Sequence, residues 1–221
     1  MRFKNRAEAG RLLGAILKTH IHRPAIVYAP PRGGVPVAVE VARALDLPLD
    51  LVIPRKLGHP WQPEYAIGAV TETGEPVCNE EERRRVDPEW FNAKVATERG
   101  EAQRRRRLYC GDRPRASSKG LCAVLVDDGV ATGLTLQAAI QEVRADGPSR
   151  LIVAVGVAPA DTAERFRGLV DDFVAVQIPE YFQGAVGAYF EDFHQLSDDD
   201  VLAAMNAMNA MNAMNAPAAR T

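Results

Sequence analysis

Cysteine is scarce in this chain, with three in 221 residues. Cys78, Cys110 and Cys122 lack the paired spacing of a zinc site or a redox motif. That excludes a disulfide scaffold, and Cys122, inside an apolar run, reads as a small hydrophobe; a reduced, cytoplasmic setting is the expectation. Excess charge of one sign is also missing: 27 basic against 29 acidic side chains leave a net −2, so nothing draws the whole surface toward nucleic acid. No apolar run approaches the ~18 residues of a membrane span. The opening Met1-Arg2-Phe3-Lys4-Asn5-Arg6 has no apolar signal core, so a soluble protein without a membrane partner is expected. What the chain does have is 47% hydrophobic content, enough for one full core.

The periodicity is that of an α/β protein. Leu12, Leu13, Ile16 and Leu17 give a helical stripe over residues 7–18. Residues 25–29 read as a short buried strand, 30–34 as a loop and 35–45 as a helix, with the next strand at 50–54. Strands at 121–126, 151–157 and 173–178 follow, separated by helices at 134–145 and about 163–169. This alternation predicts a doubly wound, mainly parallel sheet flanked by helices, whose ligands sit at the carboxyl ends of the strands.

One such strand end carries the most chemistry. Val124-Leu125-Val126 runs into Asp127-Asp128-Gly129-Val130-Ala131-Thr132-Gly133-Leu134-Thr135, two acids and a small-residue turn that opens a helix. Free backbone N–H groups at a helix N-terminus favour an anion; Thr132 and Thr135 add hydroxyl donors, and Gly133 admits a close approach. The carboxylates would repel a bare polyphosphate but suit hydroxyls beside a phosphate, as in a ribose phosphate. No Gly-Lys-Ser/Thr ending follows, which argues against a P-loop. Read without a ligand, the two aspartates are caps for the next helix. Pro31-Arg32-Gly33-Gly34, one crossover earlier, is either a strand-to-helix turn or an anion loop in which Arg32 offers a bidentate fork.

The 127–135 segment resembles the phosphoribosyl diphosphate (PRPP) signature of type I phosphoribosyltransferases, and the resemblance covers about residues 21–194. It implies that fold, with a helical insertion at about 79–119 and a small C-terminal hood at about 178–194 in a domain of residues 1–200. It implies that Asp127 and Asp128 bind the ribose hydroxyls and favour the cationic transition state, and that Gly129, Val130, Ala131, Thr132, Gly133, Leu134 and Thr135 surround the ribose phosphate. Arg32, Gly33 and Gly34 correspond to the family's pyrophosphate loop, which often carries an unusual peptide conformation. Arg55-Lys56, placed at the end of the second strand and followed by Gly58, Pro60 and Tyr65-Ala66, resembles the strand and flap of adenine and orotate enzymes, so Arg55 and Lys56 become pyrophosphate contacts. The alternative is an exposed basic pair. Phe182, Val186, Gly187 and Asp192 match the hood of hypoxanthine-guanine enzymes in order; otherwise these residues close one end of the core. The lysine that reads a purine oxo group is missing before the hood, so guanine or hypoxanthine specificity is not implied. Mg²⁺ is the implied cofactor, held by substrate oxygens and water with no protein metal cage.

Three functions follow in order: a transferase from PRPP to a nucleobase or related nitrogen acceptor, a non-catalytic PRPP-sensing regulator that binds nucleic acid, and a hydrolase of a ribose phosphate. The regulator draws only on Arg104-Arg105-Arg106-Arg107, and consecutive residues point around a helix, so a solvated helix with pairs such as Glu101–Arg105 is expected. Family members commonly form homodimers, which is the expected assembly. The tail is taken from residue 201, and from Ala204 it becomes a Met-Asn-Ala repeat whose three-residue period drifts around a helix; a frayed or disordered extension is expected there, continuing a short helix begun near Asp198, whose acids favour that N-terminus.

Overall fold

In the computed structural model, which describes residues 2–215 and side chains as far as residue 210, five parallel strands make the main sheet. They are β1 (Ala25–Ala29), β2 (Leu49–Leu51), β6 (Cys122–Gly129), β7 (Arg150–Val157) and β8 (Asp172–Gln177), in the order β2-β1-β6-β7-β8. Tyr28 sits opposite Leu125, and Leu125 opposite Val153, so alternate residues of each strand face opposite layers. Val27, Val124 and Ile152 face a core shared with α1 (Arg6–Leu17) and α2 (Gly34–Leu45). Tyr28, Leu125 and Val153 face Leu136 and Ile140 of α5 (Leu134–Ala145) and Phe166 of α6 (Ala160–Arg167).

This layering places the site. From β1 the chain passes through α2 to β2 on one side; from β6 it passes through α5 to β7 on the other. The winding reverses between the adjacent strands β1 and β6, and the crevice at their carboxyl ends is where such sheets bind ligands. Residues 30–34 and 127–135 meet there. Among the described residues no helix is long and apolar enough to cross a membrane.

Three expectations change. Arg55 and Lys56 do not end the second strand: they open β3 (Arg55–His59), which pairs antiparallel with β4 (Gln62–Val70), and β4 with β5 (Val77–Cys78), as a separate three-stranded sheet. Gly58, Pro60 and Pro63 break the alternation that would have signalled these strands, and the β3–β4 register shifts around Gly58. This sheet has its own small core, where Leu57, Ile67 and Val70 meet Val86, Phe91 and Val95.

The charged insertion forms α3 (Glu80–Arg85) and α4 (Pro88–Cys110). Glu101 pairs with Arg105 at 2.9 Å as expected, and with Arg104 at 2.7 Å. The helix is not simply solvated, because Arg106 is buried with its fork on Asp50 of β2 at 2.9 and 3.0 Å. The helix expected near Asp198 is there, but it does not fray where the repeat begins: α7 (Asp198–Asn215) lays Val201, Met205 and Met208 into the main core. A three-residue step rotates by about 60° against the helix, so two methionines plus Val201 still share one face. Ala216, which closes the repeat, and Pro217 to Thr221 lie outside the described residues.

Candidate active site

Asp127 and Asp128 lie half-buried in β6 just before its last residue, Gly129, with the Asp128 N–H donating to Asp127 Oδ1 at 2.8 Å. The pyrophosphate-type loop lies directly against them. A Cβ on Gly33 would stand 2.3 Å from Asp128 Oδ2, and one on Gly34 would stand 2.8 Å from the Val126 carbonyl and 3.0 Å from Asp127 Oδ1. Both positions therefore have to be glycine for the loop to close on the acids. The Pro31–Arg32 peptide is cis, the unusual conformation the resemblance implied.

Burial, reinforced by the Asp128 charge beside it, pushes Asp127 well above the ordinary carboxylate range. Burial raises Asp128 too, against the pull of Arg6. The pair thus binds its proton more tightly than isolated acids do, and titrates as a unit. A neighbouring cation or a hydroxyl-rich ligand that donates to both carboxylates would relieve that destabilised charge.

The turn beyond the acids is held from behind, leaving its donors outward. The Ala131 carbonyl accepts from Thr162 Oγ1 at 3.0 Å, and the Thr132 carbonyl accepts from Arg165. Gly133, the N-cap of α5, has φ +83°, and a Cβ there would meet the Phe166 ring at 2.6 Å. Thr132 and Thr135 are exposed, and the first N–H groups of α5, from Leu134 on, have no intrahelical acceptor. The arrangement can bind a phosphate group at a helix N-terminus.

Among the other predicted residues, Val130 is buried, and Gly129 presses against the hood: a Cβ there would meet Val186 Cγ1 at 2.6 Å. Val186 opens a 3-10 turn (Val186–Tyr189), and Phe182 stacks on Tyr189 with ring centres 5.4 Å apart. A cavity of about 460 Å³ joins the two parts, lined by Ala131, Pro159, Asp161, Thr162, Glu180 and Phe182 among others. Asp192 is not part of it. It is exposed, its acidity strengthened by the His194 ring that bonds to it, and it lines a different cavity of about 290 Å³ with Arg6 and His194.

The basic residues are engaged within the protein. Arg32 reaches Asp198 of α7 at 3.3 Å, and Asp198 also accepts from the Tyr109 hydroxyl at 2.6 Å. Arg55 bonds to Glu98 of α4 at 3.0 Å, and Lys56 to the carbonyl and carboxylate of Glu64 at 3.0 and 3.3 Å. Arg55 and Lys56 line a cavity of about 430 Å³ between the antiparallel sheet and α4, together with His59, Trp90 and Lys94.

Residues 4–188 match the family described as phosphoribosyl transferase domain. The chain belongs to the phosphoribosyltransferase family. It is 41% identical over 206 residues to "Putative phosphoribosyl transferase Rv0571c" of Mycobacterium tuberculosis (strain ATCC 25618 / H37Rv), a match covering 92% of this chain and 46% of that protein. The chain thus spans about half the length of the curated relatives it matches. The crystal structure of the protein TT1426 from Thermus thermophilus superposes with a TM-score of 0.79 at 42% identity, covering 94% of this chain and 99% of that one.

Sequence reasoning missed two residues at this site. Arg6, in the first turn of α1, donates to Asp128, and Asp198 holds Arg32. Neither belongs to a local motif, since each acts on a partner more than a hundred residues away.

Proposed function

We propose that this phosphoribosyltransferase moves the phosphoribosyl group of PRPP to a nucleobase or a related nitrogen acceptor, with Mg²⁺ assisting release of pyrophosphate. The observation that carries the reading is the meeting, at the winding reversal, of an under-neutralised carboxylate pair, a helix N-terminal turn and a glycine loop pressed onto the acids.

Each part has a role in that chemistry. Asp127 and Asp128 accept from the ribose hydroxyls, and their negative charge stabilises the cation that grows on the ribose ring as the bond to pyrophosphate breaks. The amides of 131–135, with Thr132 and Thr135, hold the ribose phosphate. Gly33, Gly34 and Arg32 receive the pyrophosphate, and Lys56 and Arg55 join them when the antiparallel sheet closes and their present carboxylate partners are exchanged. The acceptor enters the cavity beside Ala131, where Phe182 offers a ring face and Asp161 or Glu180 a carboxylate for its proton.

The donor set fits a substrate-borne Mg²⁺. Among the described residues no three His, Cys, Asp or Glu side chains gather into a cage, and Mg²⁺ keeps several waters and uses phosphate oxygens. When bound, the metal neutralises charge on the leaving pyrophosphate. The nucleic-acid-binding reading is the less favoured, because Arg104 and Arg105 pair with Glu101 and Arg106 is buried on Asp50, so the four arginines do not form one free basic face, although Arg107 is exposed. A homodimer belongs to the proposal and is read by light scattering.

The test is Mg²⁺-dependent pyrophosphate release from PRPP with and without a pooled panel of nucleobases and small nitrogen acceptors. Release that requires the pool supports the transferase. Release without any acceptor points to hydrolysis, and binding without release to a PRPP sensor; either outcome overturns the reading.

A further inference from the structure

The N-terminal segment is sewn to the hood. Phe3 N–H donates to the Tyr189 carbonyl at 2.8 Å, Glu191 N–H to the Phe3 carbonyl at 2.8 Å and Asp192 N–H to the Lys4 carbonyl at 3.0 Å, while the Phe3 ring packs on Phe190 with centres 5.0 Å apart. Asn5 then caps α1 by accepting from Glu8 N–H at 3.0 Å, and Glu8 reaches back to Lys4 N–H at 2.6 Å, close to a capping box. These bonds fix where the first helical residue points.

That residue is Arg6, buried although charged. Its Nε donates to Asp128 Oδ2 at 2.8 Å, its Nη1 donates to the His194 carbonyl at 3.0 Å, and its guanidinium lies 3.8 Å from the centre of the Phe193 ring. The oxygen it holds is the one that faces Gly33, so Asp128 is gripped between α1 and the glycine loop. The charged groups facing this carboxylate are Arg6 and Asp127. A buried arginine whose fork spans a signature acid and a hood carbonyl cannot move without moving both.

We infer that Arg6 is a positioning residue for the ribose site: it fixes one oxygen of Asp128, leaves the other for a ribose hydroxyl, and sets that geometry by the seating of the hood. The inference rests on the PRPP reading. It separates two parts of the ligand by degree, because in that reading Asp128 bonds to the ribose directly and touches the pyrophosphate side only through its contact with Gly33. Loss of Arg6 should therefore weaken ligands that contain ribose more than it weakens pyrophosphate.

Calorimetric binding of PRPP, ribose 5-phosphate and pyrophosphate, each with Mg²⁺, tests this on the wild-type chain, Arg6→Gln and Arg6→Lys, with circular dichroism melting to establish folding. Arg6→Gln should lose about 10- to 100-fold in affinity for PRPP and ribose 5-phosphate, by analogy with outer-shell partners that orient metal ligands, with pyrophosphate weakened less than about threefold. Lysine keeps the charge without the fork and should fall between the two; it decides the matter if the glutamine variant does not fold. Equal weakening of all three ligands, or an Arg6→Lys variant indistinguishable from wild type, overturns the inference alone. A wild-type chain that binds neither PRPP nor ribose 5-phosphate overturns the underlying reading and the inference with it.

Discussion

Two places in this fold withdraw carboxylates from water on strands of the same sheet, Asp50 fully and the Asp127–Asp128 pair by half, and they are treated in opposite ways. Asp50 on β2 is 2% exposed and has its acceptor capacity filled: it takes both ends of the Arg106 fork at 2.9 and 3.0 Å and the N–H groups of Leu51 and Ala116 at 2.7 Å each. Asp127 on β6 receives the N–H of Asp128 and stands beside a second carboxylate, with Arg6 committed to that second acid. A charge kept for architecture is satisfied by the chain; one left short of donors next to a glycine loop keeps capacity for a ligand.

The largest effect should come from breaking the satisfied side. Arg106→Met strips the fork from the buried Asp50 and leaves it only Arg113, at 3.8 Å and half-exposed, and removing one partner of a buried pair destabilises by about 3–5 kcal/mol. Urea unfolding should register that loss; a change under about 1 kcal/mol, the scale of surface pairs, would mean that Asp50 is not held as described.

The under-satisfied side should lose binding without losing stability. Asp127→Asn combined with Asp128→Asn should weaken PRPP at least about 100-fold, near 2.8 kcal/mol, by calorimetry. Unchanged binding would remove the acid pair from the ribose site. Asp127→Asn alone deletes a like charge and keeps Arg6 on Asp128. The Asp127 carboxyl is raised in the folded state, so its contribution to stability is present below the ordinary carboxylate range and lost as pH rises. The single variant should accordingly melt at or above the wild-type temperature at pH 7.

The difference between the regions also explains what could be read from sequence. Strand β1 at 25–29 and helix α5 at 134–145 were legible because apolar runs and a glycine turn mark their ends, and the 127–135 signature is contiguous, so its acids, glycine and threonines could be assigned together. Arg6 and Arg106 were not legible. Each sits in a charged stretch that looks solvated, and each gains its meaning from an aspartate on a distant strand. The β3–β4 pair was hidden by Gly58, Pro60 and Pro63, and Met205 and Met208 by a repeat whose drift is tolerable over two turns of helix but not over its length.

Glu72 lies between the two extremes and sharpens the contrast. It follows β4, is 8% exposed, and its Oε1 has no hydrogen-bond partner among the described residues. Burial raises it to about 7, with Arg106 pulling down and Glu142 pushing up. Because the folded value lies above the ordinary 4.5, its contribution to stability is present below about pH 4.5 and is lost as pH rises through about 7. Glu72→Gln should flatten that slope and be more stable than wild type at pH 8 by about 1–3 kcal/mol. Urea midpoints for both chains from pH 4.5 to 8 give the answer, and parallel curves would show that Glu72 ionises freely.

Asp198 connects the two regions most weakly. It is one-third exposed, receives Arg32 of the glycine loop at 3.3 Å and the Tyr109 hydroxyl of α4 at 2.6 Å, and these donors strengthen its acidity. Burial and then this bond push the Tyr109 phenol up to about 12. Asp198→Asn removes the charge but keeps an acceptor, so stability should change by less than about 1 kcal/mol, as for exposed pairs. Arg32, released from a competing carboxylate, should bind pyrophosphate about two- to fivefold more tightly, a gain within the same range. The phenol supplies an independent check, since losing the neighbouring charge should lower its titration midpoint in ultraviolet absorbance. A lowered midpoint with no gain in pyrophosphate affinity would mean that Arg32 is held in place by the glycine loop itself and that Asp198 belongs with the structural charges, on the side of Asp50.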